Sequence, residues 1–367
     1  MPFGFDKREN NKVKILLLGE FSALHKNLKE GLFELGHNAV VAAHGDGFKK
    51  VPCDVSLESN LAGVFRKIDN RLKPLYKLNQ LTGYDVVQLI NPFIFSSKFF
   101  PRNLFLKAII ERNEKFFLSA AGDDAFFWRY GRKSLKYGPF DDFLKYDFKS
   151  DKFPMDTDEA FEFNTWLLEK SNGLIPIMYE YEKSYENSPK RLNTIPIPMN
   201  MNEIEYHENK LGSKLTVFHG LNRYGFKGTK HVEQAFDYLR KKYPNELELV
   251  IDGKMPLDEY LQLMQRTNVV IDQMYSHSLG VNGVYALAMG KIVLGGAEPE
   301  SLNSLGVESS PVINLEPNSQ SIIRQVEHLL DRKTEIQQMG YESRLFAERV
   351  HGHTKVAQQY IDTWSKY

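Results

Sequence analysis

The sequence predicts an α/β protein with two doubly wound parallel sheets. The chain has 367 residues, of which 42% are hydrophobic, so it is long enough to form two domains with separate cores. Short apolar runs that do not alternate with polar residues are typical of strands buried on both faces, and segments with helical spacing follow them. This order occurs twice, before and after a proline-containing segment at residues 194–200. We therefore expect domains at residues 1–200 and 201–344, with a terminal helix over 345–367 that packs back on the first.

The first series opens with an apolar run at residues 13–18, followed by a helix over 24–35 and a second apolar run at 38–43. Further strands are predicted at 84–90 and 115–120. A helix between two such strands is the crossover that parallel pairing requires. Polar or glycine-containing loops follow these strands, and in doubly wound sheets such loops face the ligand crevice.

The second series repeats this order after an extended connector. The alternating Pro196 and Pro198 disfavour a helix there. Strands are predicted at residues 215–220, 247–251, 268–271 and 291–294, and helices over 231–243, 255–267 and 282–289. The chain closes with a single amphipathic helix over residues 343–364.

Composition excludes several classes of protein. Lysine and arginine total 47, as do aspartate and glutamate, so the net charge is zero and a basic nucleic-acid-binding protein is disfavoured. The one cysteine, Cys53, excludes an internal disulfide and a multi-cysteine zinc site. No apolar run reaches the roughly 18 residues that span a bilayer, and the N-terminus lacks the pattern of a signal peptide. We expect a cytoplasmic protein without a nucleic-acid partner.

The loop after the strand at 215–220 holds the densest group of candidate binding residues. Gly220, Asn222, Arg223 and Lys227 precede the start of a helix. The planar fork of arginine, the point charge of lysine and a helix N-terminus together suit a diphosphate. The alternative is a pair of solvated surface cations.

A second long polar loop spans residues 272–283, between a buried strand and a helix. The free N–H groups at the start of that helix suit a second phosphate or a sugar hydroxyl. The alternative is a structural loop.

Two loops of the first series carry further candidates. The turn at Gly19 has one glycine where a dinucleotide fingerprint shows G-x-G-x-x-G, which disfavours an NAD or FAD dehydrogenase. Gly19 then permits either close approach of a ligand or a tight turn. Asp123 and Asp124 follow the strand at 115–120, where paired carboxylates suit metal binding or acid–base chemistry. The alternative is that one of them caps the next helix.

A basic face is predicted over residues 61–120. This segment has ten lysines and arginines against four acidic residues. Aromatic side chains are interleaved with them, at Phe65, Tyr76, Phe99, Phe100 and Phe105. Such a face either rests on anionic lipid headgroups or is simply solvated. Peripheral contact of this face with the inner face of the membrane is therefore one of our expectations.

The second half resembles the nucleotide-sugar-binding domain of GT-B glycosyltransferases of the retaining family-4 (group 1) type. The resemblance covers most of residues 214–367 and rests on three segments: Arg223 with Lys227-Gly228-Thr229, the glycine-containing loop and helix at 280–293, and the closing segment from Phe346 to Trp364. Over the first half only the architecture is similar. The resemblance implies two Rossmann-like domains that face a cleft.

It also implies a glycosyltransferase that moves a sugar from a nucleotide-diphosphate sugar to a glycan or lipid-linked acceptor in polysaccharide biosynthesis. The first domain would hold the acceptor. We expect that the reaction uses no cofactor and no metal ion. Arg223 and Lys227 would bind the diphosphate, and Asp123 or Asp124 would orient the acceptor hydroxyl. The donor side would be lined by Gly19, Gly220, Asn222, Tyr275, Ser278, Gly280, Asn282 and Glu298, and the acceptor side by Ser22 and Asn91.

One departure from the family pattern concerns its two glutamates, which are separated by seven residues and contact the donor. Tyr285 stands at the second position, and the first falls near His277. Either Ser278, Asn282 or Glu298 replaces them, or the donor differs, or catalysis is lost. The competing hypotheses are a catalytically inactive GT-B scaffold that binds nucleotide-sugar or a partner protein, and a nucleotide-sugar epimerase.

Overall fold

The computed structural model describes residues 12–44, 51–95, 100–145, 154–221, 224–253, 255 and 257–367. Its first half forms a sheet of six parallel strands in the order β3-β2-β1-β4-β5-β6. The strands are β1 (Lys14–Leu18), β2 (Asn38–Ala43), β3 (Val55–Ser56), β4 (Val86–Leu89), β5 (Lys115–Ala120) and β6 (Gly173–Pro176). All four predicted strands are confirmed. The sequence analysis missed β3 and β6, which have only two and four residues.

The unbroken apolar run of β1 is explained by cores on both faces of this sheet. Leu16 and Leu18 belong to one buried cluster, whereas Ile15 and Leu17 belong to a second cluster on the opposite face. The helices around the sheet are α1 (Leu24–Glu34), α2 (Gly63–Tyr76), α3 (Arg102–Glu111), α4 (Arg132–Ser134), α5 (Asp141–Lys145), α6 (Asp158–Lys170) and α7 (Tyr179–Ser184). Single turns of other helix types lie at Leu78–Leu81, Phe127–Gly131 and Pro154–Asp156.

The second half forms a sheet of five parallel strands in the order β11-β10-β9-β7-β8. The strands are β7 (Leu215–Gly220), β8 (Leu247–Asp252), β9 (Val269–Ile271), β10 (Ile292–Gly295) and β11 (Ile313–Asn314). The helices are α8 (Thr229–Lys242), α9 (Leu257–Arg266), α10 (Val281–Ala288), α11 (Pro299–Ser304) and α12 (Ser319–Asp331), followed by a short turn at Lys333–Glu335. The fold is therefore α/β with two parallel-sheet domains, as predicted.

The C-terminal segment differs from the prediction of one continuous helix. It forms α13 (Ile336–His351) and α14 (His353–Lys366), which are separated by Gly352. The extended connector passes this break, where the Met199 N–H donates to the carbonyl of His351 (2.7 Å) and the carbonyl of Met199 accepts from the His353 N–H (3.1 Å). Tertiary pairing with the connector thus ends α13 and starts α14.

Helix α14 lies against α1 of the six-stranded half. A β-carbon at Gly31 would stand 2.3 Å from the carbonyl oxygen of His353, so this approach requires glycine. The indole of Trp364 donates to Gln88 on β4 at 2.9 Å. The chain therefore crosses from the five-stranded half back to the six-stranded half. Within the described ranges, no helix is long and apolar enough to cross a membrane.

Candidate active site between the two sheets

A cavity of about 140 Å³ lies between the two halves of the chain. Its lining comes from both halves, with Asp123, Phe127, Pro139, Met178, Glu180 and Tyr181 on one side and Phe226, Lys227, Gln273 and Ser276 on the other. Most of these residues follow the carboxyl ends of β5, β6, β7 and β9. Because ligands of doubly wound sheets bind outside the carboxyl ends of the strands, this cavity is the candidate active site.

Lys227 is the only cation among the described residues that line this cavity. Its Nζ lies 3.3 Å from Oδ1 of Asp272, and the two side chains are 15% and 1% exposed. The other oxygen of Asp272 accepts from the N–H of Gly280 at 3.0 Å. Asp272 therefore fixes both the predicted phosphate-binding lysine and the start of α10.

The loop that carries Lys227 requires glycine at position 228. Gly228 has φ +73° and immediately precedes α8, and a β-carbon there would stand 2.9 Å from Cβ of Met274. Gly220 ends β7, where the chain turns toward the cavity loops. Arg223 and Asn222, two residues of this predicted site, lie outside the described residues.

His219 on β7 packs beneath the loop that carries Lys227 and joins its neighbouring elements by hydrogen bonds. Its Nδ1 donates to the carbonyl of Ile271 (3.0 Å), and its Nε2 lies 3.1 Å from the hydroxyl of Thr229. Burial lowers the pKa of His219 to about 4, so the ring is neutral at pH 7. Both ring nitrogens are used in packing β7 against β9 and α8.

The loop at 272–283 contacts the first half of the chain. The hydroxyl of Tyr275 donates to Asp142 on α5 (2.8 Å) and lies 2.9 Å from Nε2 of His231. Ser278 is buried, and Asn282 is half-buried in the first turn of α10. Of the residues predicted to contact the donor, none of these three lines the cavity.

Glu298 also joins the two halves. Its carboxylate accepts from the hydroxyl of Tyr137, and the ring of Tyr137 stacks on His277 with centroids 4.5 Å apart. Burial favours a higher pKa for Glu298, but the hydrogen bonds from Tyr137 and Asn314 outweigh it and lower that pKa. Glu298 is therefore an ionised interdomain contact in this structure.

The adjacent aspartates after β5 have different surroundings. Asp123 borders the cavity. Asp124 is fully buried, where it accepts from the N–H of Phe127 (2.8 Å) and from the hydroxyl of Tyr185 (2.8 Å). Burial raises the pKa of Asp124 to about 6, against the effect of these hydrogen bonds. Asp123 or Asp124 was predicted to orient an acceptor, and in this structure both oxygens of Asp124 accept hydrogen bonds inside the protein. The alternative of a capping aspartate describes it.

The remaining first-domain candidates, Gly19, Asn91 and Ser22, are not among the residues that line the cavity. Gly19 has φ +90°, and a β-carbon there would stand 2.3 Å from Cγ2 of Ile90, so the close approach is of a side chain. Asn91 donates to the carbonyls of Ala121 (2.9 Å) and Asp123 (3.2 Å) and thereby ties the ends of β4 and β5 together. Ser22 has φ +54°, in the left-handed region that favours glycine.

Glu180 is the main site residue that the sequence analysis missed. It is 2% exposed and lies on α7, just after the short strand β6. Its carboxylate accepts from the N–H groups of His277 (2.7 Å) and Ser278 (2.9 Å) and from the hydroxyl of Ser276. The available signal was its place after a strand, but residues 173–176 were too short to be predicted as one.

A metal site was one alternative for the paired aspartates. Across the described ranges, no group of three or more histidine, cysteine, aspartate or glutamate side chains is placed to hold a metal ion. Lys227 is the positive group that the described part of the cavity offers.

Comparison with known proteins gives matches in structure alone. No family model and no curated protein sequence matches the chain. HepE of Anabaena, solved with UDP and glucose, is 13% identical with a TM-score of 0.60, over 97% of this chain and 100% of that one. Sucrose-phosphate synthase of Thermosynechococcus elongatus is 12% identical with a TM-score of 0.61, over 96% and 98%.

A third similar structure has a different activity in its name. UDP-GlcNAc 2-epimerase of Neisseria meningitidis, bound to UDP-GlcNAc, is 13% identical with a TM-score of 0.50, over 96% of this chain and 99% of that one. Identities this low establish the fold and no more. Two parallel sheets, a cleft between their carboxyl ends and these full-length matches together give the chain the GT-B fold.

Proposed function

We propose that this protein is a glycosyltransferase that moves a sugar from a nucleotide-diphosphate sugar to an acceptor held by the first half of the chain. The observation that carries the proposal is Lys227, a half-buried cation that Asp272 fixes at a cavity to which strands of both sheets point. HepE, a structural neighbour, was solved with UDP-glucose, which supports a nucleotide-sugar as the ligand of this cleft.

In this proposal the donor diphosphate lies against Lys227 and Arg223. Negative charge builds on the departing phosphate as the sugar leaves, and a cation that is already in place stabilises the transition state more than the ground state. Asp272 fixes the ammonium group of Lys227 before the donor arrives. These cations would take the place of a metal, and retention of stereochemistry is carried over from the family resemblance.

Asp123 is the proposed acceptor-side residue. Its neighbour Asp124 is committed to capping, so Asp123 is the member of the pair that borders the cavity. The side chain of Asp123 would accept a hydrogen bond from an acceptor hydroxyl and orient the hydroxyl oxygen toward the sugar. Catalysis then requires the two halves of the chain to hold donor and acceptor together.

Donor entry requires the cleft to open. The cavity of about 140 Å³ is smaller than the roughly 300–1,000 Å³ of small-molecule sites. A nucleotide-sugar is itself too large for this space, so the contacts of Tyr275, Glu180 and Glu298 across the cleft must separate to admit it. Closure around the donor would exclude water and limit its hydrolysis.

We further propose that α2 rests on a membrane with anionic lipids, where a lipid-linked acceptor of polysaccharide assembly would be met. The helix turns its polar side inward, since Asn70 accepts from the N–H of Ser59 and Lys73 bonds to the carbonyl of Glu58. Its apolar side faces outward, and Val64 and Phe65 are 71% and 73% exposed. Also exposed are Ile68, Leu72 and Tyr76 of this helix, and Leu61 just before it.

This surface is narrower than the face predicted over residues 61–120. Phe105 is buried and Phe100 packs against it, while Phe99 lies outside the described residues. An outward apolar side flanked by basic residues is typical of interfacial helices. Sedimentation with phosphatidylglycerol vesicles should be lost in Phe65→Ser and kept in Phe33→Ser, which removes an equally exposed phenylalanine from α1. Equal binding of both variants would overturn this part.

A thermal-shift screen against UDP-, GDP-, CMP- and dTDP-linked sugars, with and without magnesium, tests the main proposal. A ligand that binds the native state raises the melting temperature. A shift with one nucleotide class, unchanged by a chelator, is expected. If none of these nucleotide-sugars raises the melting temperature, the proposal is wrong.

Turnover separates the proposal from its alternatives. A scaffold would bind the donor and leave it intact. An epimerase would convert the donor sugar with no acceptor present, and the fold shared with an epimerase makes that control necessary. A glycosyltransferase would release nucleoside diphosphate at a rate that rises when acceptor is added.

A further inference from the structure

Three hydrogen-bond donors of the second half converge on one oxygen of Glu180. The N–H groups of His277 and Ser278 lie 2.7 and 2.9 Å from Oε1, and the hydroxyl of Ser276 donates to the same atom. The three donors are consecutive residues in the loop between β9 and α10. Glu180 reaches them across the cleft from α7, which belongs to the first half.

Convergent backbone N–H groups in a loop before a helix form a concavity that binds anions. Here the bound anion is a side chain of the chain itself. Lys227 borders the same cavity as Ser276 and Glu180, so a cation lies on the side of the cavity that carries these donors. The chemistry of the three donors fits any anionic oxygen of similar size, such as that of a phosphate.

Buried polar atoms without partners cluster at this contact. Oε2 of Glu180, Nδ1 of His277 and Oγ of Ser278 are buried and have no hydrogen-bond partner among the described residues. Buried polar atoms in native proteins are nearly always hydrogen-bonded, and exceptions often mark functional sites. The contact between Glu180 and the loop leaves three such atoms without a partner, so the hydrogen-bonding groups of Glu180 and the loop do not fully complement each other.

We propose that residues 276–278 form an anion-binding site that Glu180 fills when no donor is bound, and that a phosphate oxygen of the donor takes its place. The inference rests on the proposed function for the identity of that anion. Glu180 is then an internal competitor, because its carboxylate and a diphosphate repel each other and need the same N–H groups. Its three hydrogen bonds also hold the cleft closed until the donor displaces them.

The test is calorimetric titration of wild type and Glu180→Gln with inorganic pyrophosphate, and in parallel with UDP, GDP and dTDP. The amide has the size of the carboxylate but no charge, so it competes less for the N–H groups and does not repel phosphate. We expect Glu180→Gln to bind pyrophosphate at least tenfold more tightly than wild type. Glu180→Ala is the second variant, should the first fail to fold.

Glu182→Gln is the matched control. Glu182 lies on the same helix and also reaches the second half, where it accepts from the hydroxyl of Ser304. It does not line the cavity. This variant should bind pyrophosphate as wild type does, and a gain equal to that of Glu180→Gln would overturn the inference, since any loosened cleft would then suffice.

The outcomes also separate this inference from the proposed function. If nucleotides bind wild type but Glu180→Gln binds pyrophosphate equally or more weakly, the inference is wrong and the proposed function stands. If pyrophosphate binding rises as expected while no nucleotide or nucleotide-sugar binds any variant, the anion site stands and the proposed function is wrong. In the Glu180→Gln background, Ser276→Ala should weaken pyrophosphate binding, and unchanged affinity would contradict the site.

Discussion

The pairing of Lys227 with Asp272 makes Lys227→Ala a substitution with two separable effects. The first is on donor binding, because the variant loses a charge-assisted contact to phosphate. Hydrogen bonds to charged groups contribute about 1.5–3 kcal/mol. This loss corresponds to a weakening of roughly 10- to 150-fold in the dissociation constant.

The second effect is on stability. Asp272 is 1% exposed, so Lys227→Ala leaves a buried carboxylate without its cation. Removal of one partner from a buried pair typically costs about 3–5 kcal/mol. The lower end applies here, because Lys227 is 15% exposed and the pair is 3.3 Å apart. The free energy of unfolding should therefore fall by about 3 kcal/mol.

The double variant Lys227→Ala/Asp272→Asn separates the two effects. The amide oxygen of asparagine still accepts from the N–H of Gly280, but no buried charge remains. Urea unfolding should show most of the lost stability restored, while calorimetry with the nucleotide that stabilises wild type should show donor affinity still reduced. Recovery of both quantities would refute a phosphate role for Lys227 and leave it as a structural partner of Asp272.

Three further predictions concern the scaffold of the site. Asp124→Ala should lower the free energy of unfolding by about 1–3 kcal/mol, because two buried donors lose their acceptor. Asp123→Ala should lower it less. Equal losses in urea unfolding would contradict the assignment of Asp124 as the buried capping residue. Gly31→Ala should lower the free energy of unfolding by about 1–3 kcal/mol, because the added methyl group pushes α14 away from α1. Gly138→Ala should leave it unchanged, because no described atom lies within 4 Å of a β-carbon there. Chemical denaturation of the two variants compares these effects. Burial holds the pKa of His25, His219 and His351 near 4, whereas the unfolded ring has a pKa of 6.5 and takes up a proton between pH 7 and pH 5. The free energy of unfolding should therefore fall by about 2 kcal/mol for each of these histidines over that change in pH. A urea midpoint that does not change with pH would contradict this prediction.

The strands that sequence reasoning located best are strands of six residues. The bounds predicted for β2, β5 and β7 match those observed, because an unbroken apolar run has no other stable place in a doubly wound protein. The short strands β3, β6 and β11 carry too few residues for any periodicity. The break at Gly352 was not predictable locally, because it depends on pairing with Met199, far away in the chain.

The residues of the candidate site also fall into those that local sequence predicts and those that only tertiary contacts identify. Lys227 was predicted from its own loop, where Gly228 and the start of α8 are neighbours in sequence. Asp123 and Asp124 were not distinguishable, because only packing decides which adjacent side chain points into the core. Glu180 was missed because its three partners lie 96 to 98 residues away and belong to the other half of the chain.

Hydrogen exchange with and without the nucleotide-sugar that raises the melting temperature most is the measurement that tests the central claim most directly. If the donor binds in the cleft between the sheets, amides of residues 274–283 and of the start of α8 should exchange more slowly in its presence, and those of α2 should not change. Protection confined to other surfaces, or none in the loop at 274–283, would contradict the proposed donor site.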